Sequence, residues 1–199
     1  MSRKENIGVW IFAILAFLCC RDRQPVNPLV LVRTEMGDII IEVYEGRAPL
    51  TASNFLRYTD ENLFSDAAFY RVVRSDNQPD NSIKIEVIQG GIGFWTSDQR
   101  RPPIVHETTK KTGILHRDGV VSMARAEPGT ASSEFFICIG DQPELDFGGK
   151  RNPDGQGFAA FGRVKQGMDV VHTIHKQPAH GQMLVKPVKI IKVERLKTK

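Results

Sequence analysis

The stretch "ASSEFFICIG" (residues 131–140) joins small hydroxyl residues, one carboxylate and two adjacent phenylalanines to an apolar run that ends at a glycine. β-Branched and aromatic residues bounded by turn-forming residues are typical of a β-strand. Side chains on a strand alternate between its two faces, so Glu134 and Phe136 share one face while Phe135 takes the other. The stretch therefore predicts a strand on which Phe135 and Phe136 lie on opposite faces.

Seven further stretches on either side share this character, because each is short, rich in β-branched or aromatic residues and bounded by Gly, Pro, Asp or Asn. The seven are "LVLVRT" (29–34), "GDIIIEVYE" (37–45), "AAFYRVV" (67–73), "IKIEVIQGG" (83–91), "GVVSMAR" (119–125), "FAAFGRV" (158–164) and "VKIIKVERL" (188–196).

Two segments have helical spacing instead, at residues 48–63, where Thr51 is a candidate cap, and at residues 167–176. Eight strands with two helices favour a mainly β fold, a closed eight-stranded antiparallel barrel capped by two helices, since closure removes exposed sheet edges. No linker divides residues 29–199, which we interpret as one domain.

Composition limits the class of protein. The 199 residues are 41% hydrophobic and 25% charged, with a net charge of +4. These values are ordinary for one globular domain, so disorder and a multi-span membrane protein are disfavoured. The basic residues are spread along the chain without an aromatic-interleaved block, which argues against nucleic-acid binding.

The N-terminal residues form a separate unit. A short charged start precedes an apolar run over residues 7–20, too short to span a bilayer comfortably, which predicts an export signal over residues 1–20. Cys20 is the better candidate for lipidation, and residues 21–28 would be a polar tether. A lipid-anchored form, a cleaved soluble form and an uncleaved membrane anchor remain open, and all place the domain in the periplasm or cell envelope.

Familiar catalytic and metal motifs are missing from the sequence. It contains no nucleophile elbow and no phosphate-binding loop of the usual pattern. His172, His175 and His180 are close together, but no Cys or carboxylate follows at ligand spacing, so a metal site is disfavoured. Cys138 lies in an apolar strand without an obvious partner, which excludes an internal disulfide framework.

An ordered series of stretches resembles the cyclophilin family of peptidyl-prolyl cis-trans isomerases from about residue 29 to the C-terminus. The series is "GDIIIEVYEGRAPLTASNFL", "FYRVV", "IQGG", "HETT", "GVVSMARAEPGTASSEFFICIGDQPELD" and "FAAFGRVKQGMDVV". The resemblance implies the family's eight-stranded barrel with two helices, an isomerase acting on proline-containing polypeptides, no cofactor and a monomeric state.

The resemblance also assigns site residues. Arg71, in "FYRVV", matches the catalytic arginine of the family, and Gln89 matches the glutamine that binds the peptide carbonyl. The remaining substrate-binding positions that the resemblance indicates are Val87, Ala124, Arg125, Ala126, Glu134, Phe136, Leu145 and Phe158.

Several positions depart from the family pattern. Glu86 stands at the usual pocket phenylalanine, Glu134 at a glutamine, and Phe158 at a histidine. Glu144 replaces the tryptophan that binds cyclosporin, so weak binding of that drug is expected. Because polar residues are inserted before residue 86, we expect Glu86 to point outward or to pair with Arg71 or Arg125.

Two functions compete at this point. The first is an exported prolyl isomerase that acts on unfolded or extended chains. The second is a barrel of low or no activity that binds peptides as a chaperone or assembly factor. Arg71, Gln89 and Phe136 favour the first, which we expect with an activity below that of the family's usual members. Glu86, Glu134 and Glu144 favour the second, since three acids near one groove would favour basic peptides and disfavour an apolar pocket.

Overall fold

The computed structural model describes residues 26–93 and 99–197. The predicted export signal, the lipidation candidate Cys20 and most of the tether lie outside these residues. Within the part of the chain that is described, no helix has the length and apolar character needed to cross a membrane.

The secondary structure contains nine strands and three α-helices within the described residues. In chain order they are β1 (Leu29–Thr34), β2 (Gly37–Val43), α1 (Pro49–Asp60), β3 (Ala68–Val73), β4 (Val87–Gly91), α2 (Thr109–Thr112), β5 (Val120–Met123), β6 (Phe135–Cys138), β7 (Ala159–Gln166), α3 (Met168–His175), β8 (Ala179–His180) and β9 (Met183–Arg195). Short 3-10 helices cover Ser75–Asn77 and Pro143–Leu145.

Eight of the strands form a closed antiparallel barrel. They neighbour one another in the order β1-β2-β7-β5-β6-β4-β3-β9, and pairing of β9 with β1 closes the ring. The two-residue β8 pairs with β9 as a small hairpin beside the ring. The predicted eight-stranded barrel is therefore confirmed, and β8 is an addition to it.

The two phenylalanines of β6 face opposite sides of the sheet, as their alternation predicts. Phe135 is fully buried in the main core, where its ring contacts Phe55 edge to face with 5.5 Å between centroids and Phe69 at 5.7 Å. Phe136 belongs to a second, smaller apolar cluster with residues that include Val87 and Leu145. This second cluster supports the candidate site.

Helix α1 is stabilised at its N-terminus by a partner distant in sequence. Pro49 is well suited to the first turn, where its missing N–H leaves no hydrogen bond unmade. Thr51 is not a cap, because it lies inside the helix. Instead its N–H and its hydroxyl both donate to the Glu107 carboxylate at 2.7 Å. A carboxylate at this end also interacts favourably with the helix dipole.

Besides β8 and small shifts of element ends, three differences from the predicted elements stand out. Strand β4 begins at Val87 rather than at residue 83, because residues 83–86 belong to a loop in which Gln78 donates to the carbonyl of Ile85. Strand β9 begins five residues earlier than predicted. The one-turn helix α2, which ends at Gly113 with φ of 67°, was missed because four residues carry no periodicity.

Candidate active site

A cavity of about 580 Å³ opens beside strands β3, β4, β5 and β6. Every site residue that the sequence indicated lines it, although they come from segments up to 87 residues apart, Arg71 to Phe158. The residues that the cavity brings together are Arg71, Val87, Gln89, Ala124, Arg125, Ala126, Glu134, Phe136, Leu145 and Phe158. Their individual roles remain predictions.

The apolar wall of the cavity is built around Phe136. Its ring meets Phe158 edge to face, with 5.3 Å between centroids and an interplanar angle of 89°. Leu145 and Val87 are buried in the same cluster, and Ile85 adds a further apolar side chain. This surface suits a small hydrophobic ring, because aromatic and aliphatic side chains gain free energy when an apolar group displaces water from them.

A polar triad lies behind that wall. The His116 ring stacks on Phe136 at 6.0 Å, its Nδ1 lies 2.7 Å from Asp146 and its Nε2 lies 3.0 Å from the Ser122 hydroxyl. The residue types are those of a hydrolase triad, but Ser122 and His116 are buried and neither lines the cavity. The triad therefore fixes the Phe136 wall rather than supplying a nucleophile.

Arg71 is a fixed guanidinium at the edge of the apolar wall. Its Nη1 donates to Gln89 at 2.6 Å, and its Nε and Nη2 both donate to the side-chain oxygen of Gln182, at 3.0 and 2.5 Å. Burial lowers the pKa of Arg71 from its ordinary value, yet an arginine stays protonated in proteins. The site thus holds one oriented cation beside an apolar surface.

The hydrogen bonds continue from Arg71 to an acid. Gln89 accepts from Arg71 and donates through Nε2 to the Tyr70 hydroxyl at 3.0 Å, and Tyr70 donates to Glu134 at 2.5 Å. Burial first, and then the charge of Glu134, raise the pKa of Tyr70 well above its ordinary value. Because the Gln89 oxygen accepts from Arg71 and its nitrogen donates to Tyr70, the amide is held in a single orientation.

Tyr70 was not predicted as a site residue, since alternation alone would put Tyr70 and Arg71 on opposite faces. A bulge in β3 removes that alternation, because the pairing register with β4 shifts between Phe69 and Arg71. A bulge inserts an extra residue and redirects side chains. Both Tyr70 and Arg71 thereby reach Gln89.

Arg125 has a buried side chain and an accessible main chain. The guanidinium is 1% exposed and makes a two-pronged ion pair with Asp154, at 2.8 and 2.9 Å. It also donates to the carbonyl of Gly157 and lies over the Phe158 ring at 5.1 Å. Hydrogen bonding from Arg125 holds the pKa of Asp154 below its ordinary value. The residue as a whole stays half-buried, which leaves its backbone near the cavity.

Comparison with known proteins identifies the family. Residues 29–195 match the family model described as cyclophilin type peptidyl-prolyl cis-trans isomerase. The chain belongs to the cyclophilin family. It is 34% identical over 177 residues to a peptidyl-prolyl cis-trans isomerase of Acinetobacter baylyi, covering 84% of this chain and 85% of that protein. It is 33% identical over 150 residues to peptidyl-prolyl cis-trans isomerase B of Escherichia coli, covering 73% and 83%.

A solved cyclophilin confirms the fold. The crystal structure of a cyclophilin type peptidyl-prolyl cis-trans isomerase from Cryptosporidium parvum matches with a TM-score of 0.70 at 19% identity, over 87% of this chain and 99% of that one. The predicted enzyme class, a cyclophilin-type peptidyl-prolyl cis-trans isomerase, is confirmed by the family match and the named relatives.

The three glutamates expected near the cyclophilin groove do not converge. Glu86 accepts from the Ser75 N–H at 3.3 Å and does not line the cavity. Its sequence neighbours Ile85 and Val87 do line it. Glu144 likewise lies off the cavity and accepts from the Lys150 N–H at 2.8 Å. Glu134 alone of the three lines it.

Glu86 takes the outward orientation, and pairing with either arginine is not observed among the described residues. Arg71 bonds to amide oxygens, and the carboxylate that Arg125 contacts is that of Asp154. The polar insertion before β4 therefore puts Ile85, and not Glu86, on the cavity wall. Glu86 therefore does not disrupt the apolar pocket.

Among the described residues, the cavity wall carries more cations than acids, contrary to the expected negative field. Arg71, Arg100 and Arg151 line it beside Glu134, and Arg125 also lines it but is neutralised by Asp154. Arg151 was missed because it lies in a glycine-rich stretch, "FGGKRNPDGQG" (residues 147–157), that is typical of a plain loop. No periodicity there indicates which side chains turn inward.

Proposed function

We propose that this cyclophilin accelerates rotation about X–Pro bonds in unfolded or extended polypeptides, with Arg71 as the catalytic donor. The observation that carries the proposal is the fixed Arg71 guanidinium beside the apolar wall around Phe136 in one cavity. A proline ring held on that wall would bring its nitrogen toward a cation that cannot turn away.

The chemistry needs no covalent step. Rotation about the peptide bond faces a barrier of about 18–20 kcal/mol, which arises from the partial double bond between carbon and nitrogen. In the twisted transition state the prolyl nitrogen recovers its lone pair. A guanidinium N–H can donate to that lone pair and has little to donate to in the planar ground state. Binding that is stronger in the transition state is what accelerates a reaction.

The other cavity residues would bind and orient the polypeptide. Phe136, Leu145 and Phe158 support contact with the proline ring. The Gln89 amide is available to a peptide carbonyl, since its nitrogen carries two hydrogens and Tyr70 takes one of them. The accessible main chain of Arg125 suits a second hydrogen bond to the client backbone.

We further propose that the domain over residues 29–199 works in the cell envelope as a monomer, behind an export signal over residues 1–20 and a tether over residues 21–28. The support is the charged start followed by an apolar run in the sequence. Cell fractionation with a Cys20→Ser variant tests the lipid-anchored form. Loss of the protein from the membrane fraction in that variant is the expected result, and unchanged fractionation would argue against lipidation.

The activity is tested by NMR exchange spectroscopy on Ala-Pro and Lys-Pro peptides. We expect faster cis/trans exchange with the wild-type protein and a loss of about 10²–10³-fold with Arg71→Ala, the effect typical of removing one oriented donor. Arg117→Ala is the matched control, because that arginine is exposed and pairs with Asp141 away from the cavity. Peptide binding without any acceleration would support the peptide-binding barrel instead.

A further inference from the structure

A second pocket adjoins the main cavity next to Arg71. It encloses about 260 Å³, and its walls include Arg71, Arg151, Asn81 and Gln182. Arg71 and Arg151 line both spaces, so the two are adjacent and share these guanidinium groups. We call this second space the arginine pocket.

Arg151 is held in place by neutral acceptors. Its Nη1 donates to the side-chain oxygen of Gln78 at 2.7 Å and to the carbonyl of Ile83 at 2.5 Å. Both acceptors belong to the loop before β4, which fixes the direction of the guanidinium. Its Nε and Nη2 groups have no hydrogen-bond acceptor among residues 26–93 and 99–197. These N–H groups can therefore serve a ligand.

Neither arginine of the pocket has an acidic partner within the described part of the chain. The hydrogen bonds of Arg71 go to Gln89 and Gln182. Asp80 is on the pocket wall, but it is exposed and forms an ion pair with neither guanidinium. The contrast is Arg125, whose buried guanidinium is neutralised by a carboxylate.

Burial and the nearby charge of Arg71 both lower the pKa of Arg151. Two like charges in a partly desolvated space repel each other, and an anion placed between them would relieve that repulsion. An arginine fork matches the two oxygens of a carboxylate in particular.

We propose that the arginine pocket binds a carboxylate of the client polypeptide, and that Arg151 makes this enzyme select clients with an acidic residue close to the proline. The inference rests on the proposed function, since it requires the client to lie in the main cavity beside Arg71. A carboxylate is favoured over other anions because the pocket adjoins the cavity that the polypeptide would occupy, where Asp and Glu side chains are the available anions.

The test compares the cis/trans exchange of blocked peptides that contain one Ala-Pro bond. Each peptide carries Glu or Gln at one of the two positions before or the two positions after the proline. We expect Glu to raise kcat/KM about tenfold over Gln at one position, the effect typical of a charge-assisted hydrogen bond. A peptide with a free C-terminus after the proline tests whether the pocket also binds a terminal carboxylate. A higher kcat/KM than for the blocked peptide would support the same pocket, with the chain terminus as the source of the carboxylate.

Variants tie the preference to Arg151. We expect Arg151→Gln to bring the Glu-to-Gln ratio close to one, and Arg151→Lys, which keeps the charge without the fork, to give an intermediate ratio. Lys150→Gln is the matched control, because it removes an exposed charge from the same loop and should keep the full ratio. Thermal unfolding of each variant confirms that it is folded.

Either of two results would overturn the inference: no position at which Glu is preferred, or a preference that survives in Arg151→Gln. Failure of the proposed function has a different signature, since the Gln peptides would then show no acceleration by the wild-type protein. The ratio and the basal rate therefore report on the two proposals separately.

Discussion

Arg71 and Gln182 are joined by two hydrogen bonds, from Nε at 3.0 Å and from Nη2 at 2.5 Å to the same amide oxygen. The two residues are 111 positions apart in sequence. Gln182 lies in the turn between β8 and β9, so the small hairpin beside the barrel holds the guanidinium that we assign to catalysis. Gln182 also donates to the carbonyl of Asn77, which fixes its own orientation.

Gln182→Ala should slow catalysis without weakening peptide binding. Without its second acceptor the Arg71 guanidinium samples more orientations, and a misplaced group is less effective in the transition state. We expect kcat to fall about tenfold, less than the 10²–10³-fold for loss of a donor itself, with KM changed less than twofold. Gln177→Ala, on the chain just after α3, is the control. A fall in kcat/KM that came entirely from KM would contradict the positioning role.

Glu134→Gln should destabilise the folded protein. The carboxylate accepts from the Tyr70 hydroxyl at 2.5 Å, the Gly93 N–H at 3.1 Å and the Ser133 hydroxyl at 3.0 Å. An amide offers one acceptor oxygen and a donor that faces other donors, so at least one bond is lost. We expect the free energy of unfolding to fall by about 1–3 kcal/mol, measured by urea titration. Glu127→Gln, at an exposed position, should change it by less than about 0.5 kcal/mol.

Stability should decline at alkaline pH partly through Tyr70. Its pKa is raised in the folded protein by burial and by the Glu134 charge, whereas in the unfolded chain a tyrosine titrates near pH 10. Above that pH the folded protein keeps a proton that the unfolded chain has lost, so stability falls as pH rises. The slope from one proton is at most about 1.4 kcal/mol per pH unit.

The comparison with Tyr70→Phe isolates this contribution. The variant loses the hydrogen bonds of the hydroxyl with Glu134 and Gln89 and starts from a lower stability. Its curve above pH 10 should nevertheless fall less steeply than that of the wild type. Parallel curves in urea titrations across this range would show that Tyr70 does not titrate with the assigned shift.

Asp154→Ala should destabilise the protein more than Asp141→Ala does. Each aspartate pairs with one arginine, but the side chain of Arg125 is 1% exposed and that of Arg117 is 61% exposed. Losing Asp154 leaves a buried cation with main-chain acceptors alone, at a cost of about 1–3 kcal/mol, while an exposed pair contributes little because solvent screens it. Equal effects in urea titration would contradict the difference in burial.

The Arg125–Asp154 pair should also make the stability of the protein depend on pH in the acid range. The pKa of Asp154 is lowered by its hydrogen bond from Arg125, so its contribution is present above the pKa of an unfolded aspartate and is lost as pH falls through the depressed folded value. Stability of the wild type should therefore decline more steeply below pH 4 than that of Asp154→Asn.

The regular strands of this protein could be predicted because alternation and turn residues are local signals. The opposite faces of Phe135 and Phe136 follow from that rule, and the resemblance in sequence order located the residues that line the cavity. The role of Tyr70 in the site was not predicted because a bulge interrupts the alternation in β3. Gln182 and Arg151 were not predicted because a turn and a loop have no periodic pattern. The contact of Gln182 with Arg71 and that of Arg151 with Gln78 depend on closure of the whole barrel.

The position of β9 has a consequence for the synthesis of this protein. β9 lies between β3 and β1, so a chain growing on the ribosome presents two unsatisfied strand edges until the segment Met183–Arg195 has emerged. Unpaired edges invite pairing with other chains. We therefore expect the nascent chain to be prone to pairing with other chains until its last barrel strand is released.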